Sequence, residues 1–168
     1  DEAPRERRGG LLALLRHHPL IRLPVAWVTA ERFAVGCMVV SFSLYAHRAL
    51  GLDDARIGSL YAWFLVPFVA LTYPTARVEG ARTRAVLVVL GLGGYGAALG
   101  MLGLAPARAL DAVMLLAGVS SAAVYGPSLR YATSLAPSAA RSSTMALLHA
   151  GGSVGMLVGT ASAGIIAS

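Results

Sequence analysis

The sequence predicts an all-α fold, a polytopic bundle of membrane-crossing helices, and three observations carry that expectation. Of its 168 residues 57% are hydrophobic and only 13% charged, with a mean hydropathy of +0.68; that balance suits a bilayer better than water as the surrounding solvent. The apolar residues gather into five runs, each near the roughly 20 positions a helix needs to cross a hydrocarbon core about 30 Å thick. Within the runs polar and apolar residues do not alternate, whereas lipid-facing barrel strands alternate over about 10 positions.

The elements follow in order. Residues 1–22 are expected to form a cytoplasmic linker with a segment at the membrane surface: Arg5, Arg7 and Arg8 precede Gly9 and Gly10, then the apolar block 11–15, then Arg16, His17 and His18. Five apolar residues are too few for the core of a secretory signal. The first span is read at 23–45 and stops before Gly51, Asp53 and Asp54. The second, 57–76, carries Pro67, which should kink it, and ends before Glu79 and Gly80. The third, 85–104, stops at Pro106, and the fourth, 110–129, holds Gly126 and Pro127 beside Tyr125. Pro137 and Ser138 separate it from the fifth, 145–166. Such breakers mark span ends rather than domain linkers. The chain opens at Asp1 rather than Met, and its last residue, Ser168, closes an apolar stretch, so it is read as a piece of a longer protein.

All 14 basic residues are arginines. With the N-terminal segment inside, ten lie on the cytoplasmic side (Arg5, Arg7, Arg8, Arg16, Arg22, Arg77, Arg82, Arg84, Arg130 and Arg141), three lie outside (Arg48, Arg56 and Arg108), and Arg32 stays within a span. Cytoplasmic loops retain arginine in this way, so the split orients the bundle. The formal net charge of +6 is too dispersed to form a nucleic-acid-binding face. A single cysteine, Cys37, excludes a disulfide framework and a paired-cysteine zinc site. No nucleophile with a neighbouring base, paired carboxylates or metal-ligand cluster is visible, so neither enzyme activity, a metal nor a cofactor is expected. Gly91, Gly93 and Gly96 do spell a dinucleotide fingerprint with Asp111 twenty residues on. The acid, however, follows Pro106 and Arg108 and opens another long apolar run, so these read as helix-packing glycines.

Ser43, Leu44, Leu50, Ala55 and Arg56 recur 85 residues later as Ser128, Leu129, Leu135, Ala140 and Arg141. Three spans separate the copies, which gives the second the inverted orientation of a transporter repeat.

Several segments carry a resemblance to a known family. The lead-in 14–23 (LLRHHPLIRL) resembles a basic central linker entering a helix. Residues 51–74 (GLDDARIGSLYAWFLVPFVALTYP) resemble an outer loop with a Gly-Leu-Ser/Asp-x-Ala-x-Ile-Gly phrase and the aromatic, proline-bearing helix after it. Residues 76–84 (ARVEGARTR) loosely resemble the family's basic cytoplasmic loop, with Ala76 in place of the opening glycine and no Asp-Arg pair. Residues 151–164 (GGSVGMLVGTASAG) resemble its glycine-rich fifth or eleventh helix. Four residues before Gly118 stands Met114, where the first-half signature has an arginine. Together these resemble the C-terminal half of a major facilitator superfamily transporter, its seventh to eleventh helices. The resemblance implies a secondary-active carrier working by alternating access on a small-molecule substrate, with proton coupling as one option. It implies as partners membrane lipid, an N-terminal half and a final helix, and as location a bacterial inner membrane. A non-transporting bundle, an assembly or sensor module, is the competing reading.

Glu31 and Arg32 are the first site candidates. Each would cost about 2.5 to 3.5 kcal/mol against lipid near the bilayer centre, so both should face the protein interior or a water-filled cavity. As helix neighbours they point about 100° apart, so neither is expected to satisfy the other alone. Glu31 would bind a coupling proton or a cationic group and Arg32 an anionic one; an interhelical ion pair is the alternative. His149, one to two turns into the last span, suits a proton relay or a packing role. Tyr125 is a candidate substrate contact; Tyr61, Trp63, Phe64 and Phe68 could line a substrate path on the second span, whereas Trp63, Tyr61 and Tyr45 suit an interfacial belt, the reading favoured for most of them. Gly151, Gly155 and Gly159 recur every four residues and should let another backbone approach. Arg77, Arg82 and Arg84 form the basic cytoplasmic loop.

Overall fold

The computed structural model describes Arg16 and residues 18–167; the expectations for residues 1–15 and for His17 lie outside the described residues. Every regular element there is helical. Five α-helices follow one another: α1 Arg22–Arg48, α2 Asp54–Ala76, α3 Ala81–Leu102, α4 Leu110–Leu135 and α5 Arg141–Ala167, with single 3₁₀ turns at Pro19–Ile21, Ala107–Ala109 and Ser138–Ala140. With 22 to 27 residues each, they reach roughly 33 to 40 Å. All five are long and apolar enough to cross a membrane.

The helices run past the apolar stretches. Backbone hydrogen bonding continues where hydropathy falls, so α1 ends at Arg48 and α4 carries Arg130 through to Leu135. Helix α3 stops at Leu102, two residues inside its apolar run, with Gly103 at the cap. Helix α2 begins where Asp53, at its N-cap, accepts the Arg56 N–H at 2.7 Å, satisfying one of the four orphan donors of a helix start. Gly51 (φ 63°) and Gly80 (φ 87°) turn the chain at left-handed positions, which cost a residue without a Cβ nothing. The helix continues through Pro67 and through Pro127. Just before α1, Ile21 is fully buried beside Ala136 and Leu147.

Glycines set which helices touch. A methyl group at Gly151, Gly155 or Gly159 would collide with Val25 and Thr29, then Thr29 and Phe33, then Phe33 and Cys37. That ascending register makes α1 and α5 a parallel pair in backbone contact, and Gly36 returns the approach against Met156 and Thr160. Gly118 meets Phe64 and Pro67, and Gly126 meets Thr72, Thr75 and Ala76, so α2 and α4 are likewise parallel. Gly91 and Gly94 lie on Ser120, Ala123 and Val124 in the descending sense, so α3 is antiparallel to α4. Gly93 and Gly96 face open space and take no part in packing. The fingerprint glycines therefore lie within one continuous helix, and of the three only Gly91 packs.

Helix α4 is central. It packs against the other four helices, and more than half of its span is buried, against a third or less for the others. Large apolar side chains such as Val66, Val69, Val89, Leu90 and Leu157 point outward and are exposed, a surface suited to lipid tails. Inside, one apolar cluster holds Met38, Phe42, Leu60, Phe64, Tyr95 and Met114. A second holds Val28, Ala132 and Leu148. On α1, Glu31 lies between them.

Candidate functional site

Glu31 and Arg32 are the tenth and eleventh of the 27 residues of α1. The Glu31 side chain is fully enclosed. Its Oε1 accepts a hydrogen bond from the Ser121 hydroxyl of α4, and its Oε2 lies 3.1 Å from the Arg32 Nε without the geometry of a hydrogen bond. The neighbours thus pair in charge but do not satisfy each other alone. The long arginine side chain folds back along the helix to its predecessor, while Ser121 supplies the partner from another helix.

The Arg32 guanidinium then lies across two aromatic rings. Its central carbon is 4.7 Å from the Phe68 centroid on α2 and 4.6 Å from the Tyr125 centroid on α4. The two rings are 5.7 Å apart and tilted by 53°, forming an open wedge. Cations over ring faces gain about 0.5 to 2 kcal/mol, more when desolvated, which offsets part of the cost of holding this charge at depth. The side chain keeps 18% of its surface exposed. Tyr125 Oη stands 3.4 Å from His149 Nδ1 on α5, and His149 is exposed. All four sequence-selected residues, Glu31, Arg32, Tyr125 and His149, therefore meet in one cluster drawn from three helices, with Phe68 contributed by α2. Gly152 of α5 faces the Arg32 stem, where an added methyl group would come within 3.3 Å of its Cγ.

Ser121 has no sequence signal of its own, since a serine in an apolar helix more often bonds back to its own carbonyls, as Ser128 does to Val124 at 2.7 Å. The aromatic residues of α2 divide. Trp63 is exposed, as a belt residue would be, and Phe64 is buried in the core. Tyr61 turns inward, donating to the Val39 carbonyl at 2.8 Å and lying 2.9 Å from the Ser43 hydroxyl. At the far end of α2 and α4, Arg56 pairs with Asp111 at 2.8 Å; the acid that completed the nucleotide fingerprint closes an interhelical ion pair.

The basic loop is shorter than its reading. Only residues 77–80 connect α2 to α3. Arg77 lies 4.1 Å over the Tyr73 ring, while Arg82 and Arg84 belong to the first turn of α3, where the helix dipole disfavours cations. Among the described residues no group of His, Cys, Asp or Glu could hold a metal ion. Set beside known protein families, curated proteins and solved structures, the chain gives no match.

Proposed function

We propose that this chain is part of a secondary-active carrier of major facilitator type, its seventh to eleventh helices, moving a small solute by alternating access. The observation that carries the reading is the polar cluster. Arg32, Tyr125 and His149 keep exposed surface well inside their helices, and a guanidinium there is too costly to leave against lipid. That face of the bundle is therefore read as lining a water-filled cavity shared with further helices. A further support is the helix pairing: exchanging α1 with α4 and α2 with α5 carries the parallel pair α1/α5 into the parallel pair α4/α2, the relation an inverted repeat requires. In this reading Glu31, screened from solvent and shared between Ser121 and Arg32, carries the coupling proton, and His149 relays it through the Tyr125 hydroxyl. The protein belongs in a bacterial inner membrane with the N-terminal segment cytoplasmic.

A non-transporting assembly or sensor bundle draws on a different observation. Glu31 already has both an ion partner and a hydrogen-bond donor, as a purely structural pair would. Uptake by the intact protein separates the two. The carrier reading expects pH-dependent uptake that Glu31→Gln makes independent of pH. Uptake whose pH dependence survives that substitution rules out the proton role, and the absence of any transport favours the second reading.

A further inference from the structure

We infer that the solute accepted at this cluster is a monoanion, held by its carboxylate on the free edge of Arg32 and taken up together with one proton. The inference rests on the carrier reading above and adds the substrate class to it.

A guanidinium has five N–H groups in one plane. The Nε of Arg32 faces Glu31, and Phe68 and Tyr125 together pack against the guanidinium from one side. The edge carrying the two terminal nitrogens is turned away from Glu31, and among the described residues no side-chain or backbone acceptor bonds to them. Two coplanar donors on a charged group, fixed by aromatic contacts and partly exposed, match the two oxygens of a carboxylate in the bidentate geometry arginine favours. Glu31 cannot serve a cationic solute in the same way, because its side chain has no exposed surface.

Charge counting supplies the coupling. The ionisable groups around Arg32 are Glu31 on the same helix, Tyr95 on α3, Tyr125 on α4 and His149 on α5. With Glu31 as carboxylate, Arg32 as cation and the others neutral, the site sums to zero. A bound monoanion makes it −1, and once the carrier closes over the site and water leaves it, an uncompensated charge there is costly. One proton from the aqueous phase, taken by Glu31 or by His149, restores neutrality without breaking a covalent bond. A dianion would need two.

The test uses the intact protein in detergent with benzoate, benzamide and benzylamine, three ring compounds of similar size carrying charges of −1, 0 and +1. Calorimetric titration in buffers of different ionisation enthalpy counts the protons taken up on binding. The expected result is benzoate binding at least tenfold tighter than benzamide, with one proton taken up per benzoate. Arg32→Lys keeps the charge but loses the fork, and should weaken benzoate binding at least tenfold in a protein that still folds; Arg32→Gln should erase the preference over benzamide. Equal affinity for benzoate and benzamide, preference for benzylamine, undiminished benzoate binding in Arg32→Lys, or no proton uptake would each overturn the inference. Benzoate binding without uptake into proteoliposomes would support the anion site and sink the carrier reading, whereas uptake confined to neutral or cationic solutes would do the reverse.

Discussion

Replacing Arg32 with glutamine strips Glu31 of its ion partner while leaving the carboxylate enclosed. Only the Ser121 hydroxyl then remains on it. Breaking a buried pair from one side costs about 3 to 5 kcal/mol, because the other charge is left uncompensated; the 18% exposure of the Arg32 side chain places this case toward the lower end. Loss of the contacts to Phe68 and Tyr125 adds to that cost. Glu31→Gln is milder, about 1 to 2 kcal/mol, since an amide still accepts from Ser121 and Arg32 keeps its rings. The double variant removes both charges and with them the orphan, so it should be more stable than Arg32→Gln alone. The cycle should yield a favourable coupling of about 2 kcal/mol between the two positions. Equilibrium unfolding in mixed detergent micelles, followed by loss of helical circular dichroism, measures all four proteins. Additive single variants, or Arg32→Gln at wild-type stability, would show that the pair does not hold Glu31 in place.

The glycines make a second set of expectations. Gly155→Ala must push α1 from α5, because the new methyl group meets the backbone of Thr29 and Phe33, and should cost about 1 to 3 kcal/mol in the same assay. Gly96→Ala meets nothing and should be neutral or stabilise by up to about 1 kcal/mol; equal effects at the two sites would contradict the assigned interface. Tyr125→Phe keeps the ring under Arg32 and should leave stability near wild type while slowing pH-dependent uptake, whereas Tyr125→Ala should lower both; loss of stability in Tyr125→Phe would place the hydroxyl in structure rather than relay. Reporter fusions at Asp53, Glu79 and Ser138 should read outside, inside and inside, and a fusion at Glu79 reading outside reverses the orientation.

Much of this arrangement is legible in the sequence because lipid imposes a coarse rule on composition. Five apolar runs suffice to expect five helices, and a Glu-Arg pair inside one of them has few places to go but inward. Which glycines pack is a different matter. Gly94 touches Ser120 whereas Gly93 and Gly96 touch nothing, and a one-residue shift around the helix decides this without altering composition. Ser121 was hidden for a related reason: its partner is 90 residues away, and only the rotation of α4 turns it rather than a neighbour toward Glu31. The return of Arg32 onto Glu31 depends on four rotatable side-chain bonds, which the angular separation of two helix positions does not describe.

The carrier reading requires the cluster to border water. His149 and Val89 are each the ninth residue of helices that start on the same side, α5 and α3, so they lie at matched depth, and both are exposed. In a Cys37→Ser background, His149→Cys and Val89→Cys can be compared in membranes for reaction with a charged, membrane-impermeant methanethiosulfonate reagent. Because the thiolate is the reactive species and needs water to form, the account predicts rapid labelling at position 149 and none at position 89. Equal inertness at the two positions would show that the cluster is a dry ion pair and would contradict the account.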